Sequence, residues 1–104
     1  MSEDTVLKDV AEGKLDALEF LTAVNIACIE ASGLDPDTLM LVRIAALAAI
    51  DAPAASWFAN LGAASLTDIT LEQVRGALIA IAPLIGTPKV ISASAKILEA
   101  IEMA

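Results

Sequence analysis

Arg43 and Asp51 are the residues of this sequence whose types and spacing best suit chemistry on a small carboxylate. Arg43 is the only charge in a segment that is otherwise apolar from Leu39 to Ile50, so its guanidinium needs a carboxylate partner in the protein or in a ligand. Asp51 is either that partner or the cap of the next helix. The pair predicts a structural ion pair, or a site in which Arg43 holds a carboxylate while Asp51 moves a proton.

Trp57 and Asn60 lie one helical turn apart in the segment that follows. A pocket at this place would have one flat apolar wall and one amide. Packing of the indole in a core or an interface is the alternative interpretation. The candidate pocket therefore consists of Arg43, Asp51, Trp57 and Asn60, and a small carboxylate is the ligand that it would take.

Other side-chain chemistry is restricted by composition. Histidine is absent, which removes the commonest general base and metal ligand. Cys28 is the single cysteine, so no internal disulfide forms, and its place on the apolar stripe of its helix predicts a buried, unreactive thiol. Glycines stand alone, without the spacing of a phosphate-binding loop. We expect no metal and no cofactor.

The charge balance limits the partners. Fourteen acidic and six basic residues give a net charge of −8, and the cations are scattered. Such a chain repels phosphate backbones and anionic lipid surfaces, so nucleic acid and membranes are not expected partners. The amino terminus is acidic where a secretory segment would be basic, and no apolar run reaches the length of a membrane span. These features predict a cytoplasmic protein.

Helix formers dominate the composition, and the terminal signals of helices recur along the chain. Gly33 ends one helix, Asp35 and Pro36 begin the next, and Thr70 with Gln73 has the spacing of a capping box. We predict one all-α domain over residues 1–104 with five or six helices. Their ranges are a short helix or arm over 1–12 and helices over 15–32, 36–50, 53–64, 71–84 and from about 87 to the carboxyl terminus.

Charge is unevenly placed along the chain. Between Ile44 and Pro88 only four charged residues occur, and the helix from Leu71 is apolar all round after Arg75. A compact chain of this mass exposes roughly 5,500 Å² of surface. One small core cannot bury all the apolar side chains of a segment with so few charges, so some of them should be exposed. Contiguous exposed apolar surface usually marks an interface, which predicts a homo-oligomer: a dimer, a trimer or a hexamer.

Two segments of the sequence carry a family resemblance. They are Leu-Val-Arg-Ile-Ala-Ala-Leu-Ala-Ala-Ile over 41–50 and Thr-Leu-Glu-Gln-Val-Arg-Gly-Ala-Leu-Ile-Ala-Ile-Ala-Pro-Leu-Ile-Gly-Thr-Pro over 70–88. Together they resemble the core of the carboxymuconolactone decarboxylase family, which includes the alkyl hydroperoxidase D-like proteins. The likeness covers about residues 39–101 and is most specific over 82–88. The resemblance implies an orthogonal all-α bundle that assembles as trimers or hexamers.

The family's peroxidase branch has a Cys-x-x-Cys-x-x-x-His motif and an upstream glutamate. The resemblance places the two cysteines at Ala52 and Ala55, the histidine at Ala59 and the glutamate at Met40. None of the four is retained, and alanine can neither attack a peroxide nor resolve a sulfenic acid, so dithiol peroxidase activity is predicted to be absent. Members of the decarboxylase branch have histidines near the active site, which this chain lacks.

The leading prediction is a redox-inactive, carboxymuconolactone decarboxylase-like homo-oligomer that serves as a small-molecule binding or structural module. Its family pocket would be lined by Met40, Arg43, Asp51, Ala52, Ala55, Trp57 and Ala59. The alternative is a cofactor-free enzyme, such as a lyase, that acts on a small carboxylate through Arg43 and Asp51.

Overall fold

The computed structural model describes residues 3–102, except for the side chains at 3, 4, 6, 10, 15 and 17. Six α-helices and no strand occur in this part of the chain, which confirms the all-α prediction. They are α1 (Glu3–Ala11), α2 (Leu15–Ser32), α3 (Pro36–Ala49), α4 (Ala54–Ala64), α5 (Leu71–Ile85) and α6 (Thr87–Glu102). The chain divides into two compact units, Met1–Leu34 and Asp35–Ala104.

The first unit contains α1 and α2. Lys14 lies between them and forms ion pairs with Asp9 and Glu12 at 3.1 and 3.4 Å. Gly33 ends α2 in the left-handed conformation, as predicted from its position after the last apolar residue. The apolar stripe of α2 is exposed, and so is Cys28. The prediction of a buried Cys28 was wrong because α1 leaves this stripe uncovered.

The second unit has a core to which all four of its helices contribute. The fully enclosed large side chains are Ile44 of α3 and Trp57 of α4. The other members of the core cluster are small or aliphatic and recur at helical spacing: Ala48, Ala52, Val74, Leu78, Ala93, Ile97 and Ala100. Four alanines in this set let the helix axes approach closely around one large indole.

Two side-chain caps fix the starts of α3 and α5. The Asp35 carboxylate accepts from the Thr38 amide at 2.8 Å, and Pro36 follows at the first helical position. Thr70 and Gln73 form the reciprocal capping box, with bonds of 3.1 and 2.9 Å. Both starts lie where the sequence predicted them.

The connection between α5 and α6 is a single residue, Gly86. Its φ is +89°, a backbone conformation that L side chains rarely adopt. The tight connection brings the start of α5 and the end of α6 to one side of the second unit, where both line the same groove.

Candidate functional site

Asp51 lies at the corner between α3 and α4 and has a different role from the predicted cap. Its φ is +52°, and its amide donates to the Ala48 carbonyl at 3.1 Å while the Ala52 amide donates to Leu47 at 3.0 Å. These two bonds close the carboxyl end of α3 in a Schellman motif. The first residue before α4 is Pro53, which has no capping side chain. Of the two interpretations of Asp51, the cap of α4 is therefore wrong, because Asp51 belongs to the end of the preceding helix.

The carboxylate of Asp51 is bound by α6. Oδ1 accepts a hydrogen bond of 2.6 Å from the Ser92 hydroxyl and one of 3.0 Å from the Lys96 ammonium. One turn before Ser92, Lys89 donates to the Ala49 carbonyl at 3.0 Å, so a cation also lies at the carboxyl end of α3. One face of α6 thus holds the α3–α4 corner through three side chains.

These contacts determine the protonation of Asp51. The hydrogen bond from Ser92, and after it the bond from Lys96, lower the pKa of the Asp51 carboxyl from its ordinary value. A general base works best when its pKa is near the working pH, and the shift takes Asp51 further from neutrality. The contacts of Asp51 with Ser92 and Lys96 therefore stabilise the packing of α6 against the α3–α4 corner, and they give no support to proton transfer by Asp51.

The other three residues of the candidate pocket lie on α3 and α4. Trp57 is completely buried in the core, as the packing interpretation predicted, and its Nε1 has no hydrogen-bond partner among the residues that the structure describes. The Asn60 amide donates to the Ser56 carbonyl at 2.9 Å within α4. Arg43 is half-buried on α3. The described residues form one groove between α5 and α6 and another along α2, and none of the four candidate residues lines either groove.

The positions that match the family motif are divided between core and surface. Met40 and Ala52 are buried, whereas Ala55 and Ala59 are exposed on α4. Over the described residues, no group of three or more cysteine, aspartate or glutamate side chains is placed to hold a metal ion. Because Trp57 is completely buried, a family pocket that includes its side chain would form only if the core around it opened.

A groove between α5 and α6 is the site that the sequence analysis did not identify. It has a volume of about 350 Å³, within the range of small-molecule pockets. Its lining recurs at helical spacing on both helices: Leu71, Val74, Arg75, Leu78, Ile79, Val90, Ser94, Ile97, Leu98 and Ile101. The five α6 residues of the lining recur at helical spacing on one face of that helix. The sequence alone gave no reason to pair that face with the start of α5.

Arg75 and Ser94 are the polar residues of this groove. The Ser94 hydroxyl donates to the Val90 carbonyl at 2.8 Å, so its hydrogen is already used within α6. Arg75 is exposed and makes no hydrogen bond or ion pair with any residue that the structure describes. The groove therefore combines an apolar floor with one available cation.

Comparison with known proteins gives no match: no family model fits the chain, and neither a curated protein nor a solved structure is detectably similar to it. The resemblance to the carboxymuconolactone decarboxylase family stays a prediction from the motif residues. Between residues 3 and 102, none of the helices combines the length and apolar character needed to cross a bilayer.

Proposed function

We propose that this chain is a redox-inactive, carboxymuconolactone decarboxylase-like binding module that holds a small apolar molecule in the groove between α5 and α6. The observation that carries the proposal is the groove itself, in which eight of the ten lining residues are apolar. An exposed, concave apolar surface with few polar groups is the usual form of a small-molecule site. The alanines at the thiol and imidazole positions support a role without thiol chemistry.

Binding of a neutral apolar probe tests the proposal directly. Decanol, titrated below its solubility limit into isotopically labelled protein, should shift the backbone amide resonances of α5 and α6 that border the groove. The single tryptophan lies in the adjoining core and provides a second, optical readout. Amide shifts spread evenly over the chain, or no shifts at all, would contradict a groove-specific site.

Two substitutions on α6 form a matched pair for this experiment. Leu98 lines the groove and is 62% exposed, whereas Ile91 is 64% exposed and lies outside the lining. Because their exposures are nearly equal, a charge should be tolerated equally well at both positions. Leu98→Glu should abolish decanol binding, and Ile91→Glu should leave it unchanged. Equal loss in both variants would mean that the groove is not the site.

We further propose that copies of the chain associate through α2. Leu18, Leu21 and Val24 form an exposed apolar stripe along this helix, and Phe20 and Ile26 beside it are exposed as well. Neighbouring exposed apolar side chains of this size are typical of a protein interface. The number of copies, whether two, three or six, is left open by this surface.

Light scattering after size-exclusion chromatography, together with native mass spectrometry, measures the assembly. Leu21→Glu places a charge on the apolar stripe and should shift the wild-type assembly towards the monomer. Glu30→Gln changes the charge by the same single unit on the opposite side of α2 from Leu21 and should not change the assembly. A wild-type chain that is monomeric at high concentration would overturn this part of the proposal.

A further inference from the structure

From the lining of the α5–α6 groove we infer that its ligand is an aliphatic monocarboxylate, with the chain in the apolar groove and the head group on Arg75. This inference rests on the proposed function and adds the chemical class of the ligand. The observations behind it are the state of Arg75, the dimensions of the groove and the charge of the whole chain.

Three of the four lysines have side-chain partners, whereas Arg75, like Lys8 on α1, has none among the residues that the structure describes. Lys14 is paired with two carboxylates, Lys96 binds Asp51, and Lys89 binds a backbone carbonyl. Arg75 has no such partner over the described residues, although the sequence holds fourteen acids and six bases. Glu72, one turn earlier on α5, forms no ion pair with it. An unpaired guanidinium on the edge of an apolar groove favours an anionic ligand.

The groove has room for a chain but few partners for a polar body. Its α5 wall runs from Leu71 to Ile79, a length of about 12 Å, which is comparable to an extended decanoate. Among the described residues that line the groove, the only polar side chain besides Arg75 is Ser94, whose hydroxyl already donates within its own helix. A ligand with one head group and an unsubstituted tail leaves no polar atom without a partner in this groove.

A carboxylate matches Arg75 in geometry as well as in charge. The planar guanidinium presents parallel N–H donors that bind both oxygens of a carboxylate, whereas a lysine ammonium acts as a point charge. The pair would be exposed to solvent on one side, so its contribution to affinity is modest. We expect loss of the guanidinium to weaken decanoate binding by roughly two- to fivefold.

The experiment compares three probes that share one tail: decanoate, decanol and decylammonium, each below the concentration at which it forms micelles. Adsorption to an acidic chain without a specific site would rank the cation first, because the net charge of −8 attracts it and repels decanoate. The inference predicts the opposite order: decanoate bound most tightly, then decanol, then decylammonium, with amide shifts at the groove.

Variants separate the head group from the tail. Arg75→Gln should lower the affinity for decanoate below that for decanol and leave decanol binding unchanged, and Arg75→Lys should restore part of the decanoate affinity. Leu98→Glu should remove both ligands, with Ile91→Glu as the control.

The two proposals fail in different ways. Equal binding of decanoate and decanol, unaffected by Arg75→Gln, would overturn the carboxylate inference and leave the apolar site standing. Absence of binding by every probe would overturn both. A change in oligomeric state caused by Leu98→Glu but not by Ile91→Glu would show that a second copy covers the groove, which also overturns the inference.

Discussion

The Ser92 hydroxyl donates a 2.6 Å hydrogen bond to the carboxylate of Asp51, a residue 41 positions earlier in the chain. Lys96 binds the same oxygen at 3.0 Å. These two bonds join α6 to the α3–α4 corner, where Asp51 has a left-handed backbone conformation. Aspartate and asparagine adopt this conformation more readily than most residues. An aspartate here therefore suits both the left-handed turn and the hydrogen bonds with α6.

Asp51→Asn should lower the free energy of unfolding at neutral pH, because it removes the charge that Lys96 and Ser92 bind while keeping a residue that tolerates the left-handed conformation. The pKa of the Asp51 carboxyl is lowered in the folded chain by the Ser92 and Lys96 contacts. Its contribution is therefore complete above the unfolded value of about 3.9 and is lost as pH falls through the folded value. Urea unfolding between pH 2 and 7 measures both effects.

The difference in the free energy of unfolding between wild type and Asp51→Asn should therefore decrease as the pH is lowered. Glu99→Gln is the control, since Glu99 is exposed on the same helix and has no bond to any residue in the described range. A gap that stays constant down to pH 2 would show that the substitution acts through the backbone.

Gly76→Ala should raise the free energy of unfolding by about 1 kcal/mol, because alanine is the better helix former. Gly76 lies in the middle of α5, and a Cβ added there would meet no atom within 4 Å. Thermal unfolding followed by circular dichroism measures the change. Gly86→Ala is the contrasting variant and should destabilise, since its φ of +89° strains any side chain. A loss of stability in Gly76→Ala would indicate that a partner covers this surface of α5.

Thr70→Ala should cost about 1 kcal/mol of stability, since it removes the hydroxyl that accepts from the Gln73 amide and opens the capping box. Thr70→Ser keeps the hydroxyl and should retain most of the stability. Chemical denaturation of the two variants side by side gives the difference. Equal stabilities would mean that solvent replaces the cap without cost.

Ile44→Ala should cost roughly 2–5 kcal/mol, because the side chain is fully enclosed and its removal leaves a cavity. Val42→Ala, two residues earlier on α3, removes a side chain that is 53% exposed and should change stability by no more than about 0.5 kcal/mol. Denaturant titration separates the two predictions. Comparable losses at both positions would place Val42 in a contact with another copy.

Local signals predicted the helices of this chain well. Asp35 with Pro36 and Thr70 with Gln73 act through hydrogen bonds that span three residues, so the pattern and its effect lie in the same stretch of sequence. α3 ends at Ala49, one residue before the predicted end at Ile50, because the amides of Asp51 and Ala52 close the helix in a Schellman motif.

The site could not be predicted in the same way. Asp51 lies two residues before Pro53 and resembles a helix cap in the sequence, yet the partners that bind its carboxylate lie 41 and 45 positions later in the chain. Arg75 shows no special spacing, and its placement beside the apolar face of α6 depends on the tight connection at Gly86. Pairings of this kind arise from tertiary packing, which periodicity alone does not encode.

Because α6 makes two different sets of contacts along its two sides, its length cannot change without disturbing both sets. Lys89, Ser92 and Lys96 lie on the edge that holds the corner, while Val90, Ser94 and Leu98 lie on the edge that borders the groove. One residue inserted near Ala93 would turn everything after it by about 100° and move both edges out of register together. Insertions and deletions should therefore be tolerated better in the α4–α5 connection than within α6, so that α6 keeps its length while its exposed residues vary.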